Sequence, residues 1–133
     1  MRYIILDIET VGLPEAKEWL GADPLTAPSN YKDAAKIAAY IAEAEAARAE
    51  KFALDPDCNR IVALGFHVVG GADPTCYLMR DEFEEREQLK LFWDIYRNGG
   101  ATLVTFNGFK FDLPVLVRRS MYLDVPYPDL SLD

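Results

Sequence analysis

An α/β domain built on a mixed sheet is what this sequence predicts, and three observations carry the prediction. The run Tyr3 to Ile8 is almost continuously apolar and rich in Ile, as expected of a central strand covered on both faces. Arg60 to Val69 shows the alternation and β-branching of a strand, and Gly70-Gly71-Ala72-Asp73 turns it back into Thr75 to Met79 as an antiparallel hairpin. Strand–helix units follow, giving the order strand, helical insertion, strand, strand, helix, strand, helix.

The first strand ends in Asp7-Ile8-Glu9-Thr10. Residues 12 to 30 hold Gly12, Pro14, Gly21, Pro24 and Pro28 and read as loop, with one helical turn over Glu15 to Leu20 and a helix cap at Ser29 or Asn30. From Asp33 to Phe52 the chain is alanine-rich, and Ile37, Tyr40, Ile41 and Ala44 recur at helical spacing opposite charged residues. Leu54-Asp55-Pro56-Asp57 breaks this helix. Residues 12 to 57 therefore read as a peripheral helical insertion in a single domain spanning 1 to 133.

Glu82 to Arg97 places Leu89, Phe92, Trp93 and Tyr96 on one stripe, and Asn98-Gly99-Gly100 supplies the stop of a helix. A buried strand, Ala101 to Phe106, leads to a turn at Asn107-Gly108. Asp112-Leu113-Pro114 then starts a helix reaching about Tyr122, with Asp as cap and Pro in the first turn, and Val125 to Asp133 is an extended tail.

Half of the residues are hydrophobic and 12% are aromatic, which excludes intrinsic disorder. The net charge of −8 opposes the basic footprint of a protein that coats nucleic acid. A metallonuclease escapes that objection, because acidic ligands loaded with divalent cations become locally electropositive and accept phosphate. Cys58 and Cys76 form no CxxC and His67 is the only histidine, so Cys/His zinc sites, disulfide frameworks and hydrolase triads lack their residues. No run approaches the roughly 18 apolar residues of a membrane span, and a reducing, cytoplasmic setting is the expectation.

Asp7 and Glu9 are two apart on a strand, so both carboxylates leave the same face. Like charges at the end of a buried strand repel unless a shared proton or a hard divalent cation relieves them. A bare Asp-x-Glu is equally what a solvated strand end shows, and Asp112 alone is equally a helix cap. Arg118 and Arg119 could touch phosphate, yet cations late in a helix complement its dipole in any case. Most of the aromatic residues read as core.

The string Ile4-Ile5-Leu6-Asp7-Ile8-Glu9-Thr10, taken with Phe106-Asn107-Gly108-Phe109-Lys110-Phe111-Asp112-Leu113-Pro114, resembles the DEDD (DnaQ-like) 3′-5′ exonucleases of the ribonuclease H-like superfamily, and more closely the proofreading-type domains related to family-B DNA polymerases. That family opens with a strand ending in D-I-E-T and continues with N-x-x-x-F-D leading into a helix. The strand Arg60 to Phe66 is similar to the family's second strand. The resemblance implies a ribonuclease H-like mixed sheet with flanking helices. It also implies Asp7, Glu9 and Asp112 as catalytic carboxylates holding Mg²⁺ or Mn²⁺, with two ions in the complete site. Thr10, Asn107 and Phe111 match positions that border the 3′-terminal nucleotide, and the implied partner is a single-stranded DNA or RNA 3′ end.

The family's fourth carboxylate stands on a late helix, a few residues after a Tyr or His that orients the attacking water. No such pattern follows Asp112: Asp124, Asp129 and Asp133 lack the Tyr or His, and the Tyr3/Asp7 and Tyr77/Asp81 pairs fall on or beside strands. The sequence therefore reads as a domain truncated at its carboxyl end, weakly active or inactive alone, with an exposed sheet edge through which chains could pair. The reading from a different class is a non-catalytic ribonuclease H-like module used for binding or assembly.

Overall fold

The computed structural model describes residues 2–19 and 23–130. Leu20, placed by the sequence in the first helical turn, and Asp133, in the tail, lie outside them. The elements are β1 (Arg2–Gly12), α1 (Ala16–Trp19), α2 (Ala34–Leu54), β2 (Asn59–Val68), β3 (Thr75–Leu78), α3 (Glu82–Gly99), β4 (Ala101–Val104) and α4 (Asp112–Tyr122). The four strands form one mixed sheet in the order β3-β2-β1-β4, with β1 antiparallel to β2 and parallel to β4. Helices flank the sheet, an α/β fold compatible with a ribonuclease H-like domain.

Strand alternation sorts β1 into two faces. Ile4, Leu6 and Ile8 are buried, and they join Ile61, Leu64 and Met79 under Leu89, Phe92 and Trp93 of α3 and Leu113, Val115 and Leu116 of α4. The opposite face carries Tyr3, Ile5, Asp7 and Glu9, and it stays open, with Ile5 48% exposed. The expectation of a strand covered on both faces is thus corrected: the apolar run marks a strand interior to the sheet, but α3 and α4 share one side of it. Between Glu9 and Thr10 the β1–β2 register slips, Glu9 pairing with Ala63 and Thr10 with Ile61. Such a bulge twists the ladder and re-aims side chains.

Caps set the helix boundaries. The Asp81 carboxylate accepts from the Glu84 amide at 2.8 Å, and Gly100 closes α3 in the left-handed region at φ 52°. Helix α2 is capped by Asp33, whose side chain accepts from the Ala35 amide at 2.8 Å, rather than by Ser29 or Asn30. No residue of α2 is buried. Ile37, Ile41 and Ala44 are half-buried while Tyr40 is exposed and meets Tyr31 edge-on, so the apolar stripe is narrower than the spacing suggested.

The carboxyl end of α2 is its anchor. The Ala53 carbonyl accepts from Thr10 Oγ1 at 2.5 Å and from Asn59 Nδ2 at 2.8 Å. Gly12 permits the approach, since a Cβ there would stand 2.8 Å from Phe52 Cβ. A small second cluster of Leu13, Ala16 and Cys58, with Phe52 against it, seals the junction.

An ion pair lies inside the main core. Glu85 and Arg119 are buried, and their side chains meet in two hydrogen bonds of 2.8 Å each. Glu85 Oε1 also accepts from the Ile61 amide at 2.9 Å. One carboxylate thereby ties α3 to α4 and to β2. Beside it, Trp93 Nε1 donates to Ser120 Oγ at 2.9 Å, and Ser120 Oγ donates to the Leu116 carbonyl at 2.6 Å.

Removing one member of a buried, hydrogen-bonded pair strands the other charge, so Glu85→Ala should cost about 3–5 kcal/mol, read as a lowered urea midpoint. In the same assay Ile61→Ala should cost about 2–5 kcal/mol, whereas Ile37→Ala and Ile41→Ala should each cost less than about 1 kcal/mol. Equal losses at Ile41 and Ile61 would show that α2 belongs to the main core.

Candidate functional site

Parallel pairing decides where the second motif lands. Ile5 of β1 pairs with Val104, the last residue of β4, so the chain leaves β4 at the end of the sheet towards which Asp7 and Glu9 extend. Asp7 and Glu9 are both exposed on the open face, one side-chain repeat apart. Across the ladder Asp7 faces Gly65, and Gly65 faces Cys76. The missing side chain at Gly65 contributes to a hollow of about 390 Å³ beside Asp7, also lined by Ile5, His67 and Cys76.

The loop after β4 is tightly tied. The Asn107 carbonyl accepts from the Lys110 amide at 3.2 Å and the Phe111 amide at 2.9 Å, and the Gly108 carbonyl accepts from the Leu113 amide at 2.8 Å. Gly108 is buried, and a Cβ there would collide with the Thr105 hydroxyl. That closeness matters because the Thr105 side chain also bears on the Asp112 carboxyl, pulling its pKa down. Asp112 is the first residue of α4, not its cap: the cap position is Phe111, which makes no side-chain capping bond. The expected capping role is corrected, and the carboxylate is left for the site.

Asp112 is only 5% exposed. Burial pushes its carboxyl above the ordinary value of 3.8 and the negative charge of Asp7 pushes it further, while the Thr105 hydrogen bond pulls the other way. Residues far apart in the chain thus come within electrostatic reach, Asp7 on a strand and Asp112 at a helix start. Glu9 shares the face of Asp7 but is not among the causes of the Asp112 shift. Among the described residues no three His, Cys, Asp or Glu side chains close into a metal cage.

The residues expected to border a nucleotide are dispersed. Thr10 is engaged with the Ala53 carbonyl, Asn107 is exposed at the loop, and Phe111 is half-buried against the main core. Arg119 is consumed by Glu85 and Arg118 pairs with Asp57 at 2.7 Å, so neither is free for phosphate. Tyr122 also donates to Asp57, at 2.8 Å, and this bond, with Arg118, holds the Asp57 carboxyl below its ordinary value. Thr105, one residue before the second motif, escaped the sequence reading, and Gly108 was read there only as part of a turn.

A family model described as "Predicted 3'-5' exonuclease related to the exonuclease domain of PolB" matches residues 54–131, more than half of the chain. The chain belongs to this exonuclease family. The matched stretch holds β2 to α4 and the loop bearing Asp112, whereas Asp7 and Glu9 precede it. No curated protein and no solved structure matched. Among the described residues, no helix of this exonuclease-family chain is long and apolar enough to cross a membrane.

The Asp7–Asp112 repulsion has a measurable sign. Because the Asp112 carboxyl is raised, the folded chain holds that proton more tightly than the unfolded chain. Its favourable contribution is complete below the unfolded value and is lost as pH rises through the folded one. Asp7→Asn removes a source of that loss. In metal-free buffer it should raise Tm by roughly 2–4 °C at pH 7, and the gain should shrink as the pH is lowered and Asp112 takes up its proton. The same substitution should lower the Asp112 pKa in carboxyl NMR titration; an unmoved pKa would show that the two groups do not interact.

Proposed function

We propose that the chain is a 3′-5′ exonuclease domain that hydrolyses phosphodiesters at the 3′ end of single-stranded DNA or RNA, using Asp7, Glu9 and Asp112 as ligands of Mg²⁺ or Mn²⁺. The observation that carries this reading is that Asp112, inside the family-matched region at the start of α4, lies within electrostatic reach of Asp7 on β1. The donor set suits a hard cation: the groups are carboxylates, two on an open sheet face and one whose carboxyl is pushed up by burial and by the charge of Asp7. Two such ions, when bound, supply an activated water and stabilise the leaving oxygen.

The chain's own residues have defined tasks. Asp7, which shares its strand face with Glu9 and acts electrostatically on Asp112, would hold an ion together with either of them. Glu9 extends the acidic row along β1. Thr105, whose side chain bears on the Asp112 carboxyl and is seated against Gly108, would help to orient that carboxylate. Residues 12 to 57 serve as an insertion whose anchor at Ala53 touches β1 just beyond Glu9.

Among the described residues no three His, Cys, Asp or Glu side chains stand close enough together to hold an ion, so we infer weak ion binding and near-background turnover for these residues alone. That absence is also what favours the second reading, a non-catalytic module. Two measurements decide. Calorimetric titration with Mn²⁺ should show weak binding that Asp7→Ala abolishes; binding indifferent to Asp7 would favour the module. Release of 3′-terminal nucleotides from labelled single-stranded DNA should stay near background. Robust turnover lost by a hundredfold or so in Asp7→Ala would instead show that other residues of the chain complete the site.

A further inference from the structure

The turn between β4 and α4 places large apolar rings in water next to the acidic site. Phe106 is fully exposed and Phe109 is 71% exposed, while Phe111 in the same turn is tucked against the core. The turn is not a loose one, since the Asn107 and Gly108 carbonyls are both engaged and Gly108 is packed on Thr105. A hollow of about 420 Å³ runs along it, lined by Phe106, Asn107, Phe109 and Lys110 among others. Lys110 is exposed, and no ion pair is assigned to it among the described residues.

We propose that Phe106 and Phe109 form a base-stacking platform, with Lys110 as its phosphate contact, which holds a single-stranded nucleic acid next to Asp112. This deepens the exonuclease reading and rests on it for the choice of occupant. A chain of net charge −8 repels a polyanion over most of its surface, so affinity has to come from a contact that does not depend on charge. Stacking on aromatic rings is such a contact, and it tolerates any base because every base has a π-face. Phenylalanine has few rotatable bonds and sits here on a fixed turn, so little freedom is lost when a base settles on it. The lone cation complements one phosphate, which implies a shallow salt dependence.

The test is fluorescence anisotropy in EDTA, so that binding is read apart from any metal chemistry. A labelled oligothymidine is compared with an abasic oligomer of equal length and charge. The expected result is that the wild-type chain prefers the oligothymidine by about five- to a hundredfold. Phe106→Ala/Phe109→Ala should lose that preference, Phe106→Trp/Phe109→Trp should restore it, and Lys110→Ala should weaken both oligomers alike. Both rings are exposed, so circular dichroism should show the alanine variant folded; should it aggregate, Phe109→Ser alone keeps the comparison. Equal affinity for the two oligomers, or a preference that survives the loss of both rings, overturns the platform. The exonuclease reading is then still judged by Asp7-dependent Mn²⁺ binding, which these variants leave intact.

Discussion

The placement of α4, and with it of Asp112, depends on the Glu85–Arg119 pair. Two charges removed from water are costly, and they are tolerated here because the carboxylate meets the guanidinium through two bonds and spends a further interaction on the Ile61 amide. Burial disfavours the Arg119 charge, and the hydrogen bond and charge of Glu85 more than offset it. Since Glu85 is on α3, Arg119 on α4 and Ile61 on β2, the pair fixes the distance of α4 from the sheet. Asp112, at the start of that helix, inherits its position.

Stability and chemistry pull in opposite directions at the other end of α4. Around Arg119 each charge has its opposite within hydrogen-bonding distance. Around Asp112 the charge within reach is another carboxylate, with Thr105 pulling the other way. A like charge so placed is a cost to the folded chain, and it is the feature on which the proposed cation site rests. The open face of the sheet adds to this contrast: one side of β1 is packed to core density, while the side bearing Asp7 and Glu9 is accessible.

Some arginines and aromatics changed meaning once the chain was folded. Arg118 and Arg119 look alike as adjacent cations, yet one forms a surface pair with Asp57 and the other is part of the core. Phe106, Phe109 and Phe111 sit within one short segment, and only the last packs inward. Periodicity could not sort them, because a hydrogen-bonded turn has no repeat to read.

The sequence by itself determined the local structure and the chemical type of the site. The strand at β1, the glycine stop of α3, and the hairpin after β2 are legible because they depend on residues a few positions apart. The same-face placement of Asp7 and Glu9 follows from strand geometry alone. Only the tertiary structure decided that β1 is covered on one face, that Asp112 is not a cap, and that Glu85 belongs with Arg119. Each of these depends on which distant segments share the space. The approach of Asp112 to Asp7 is of this kind, set by the parallel pairing of β4 with β1 and the depth at which a buried ion pair holds α4.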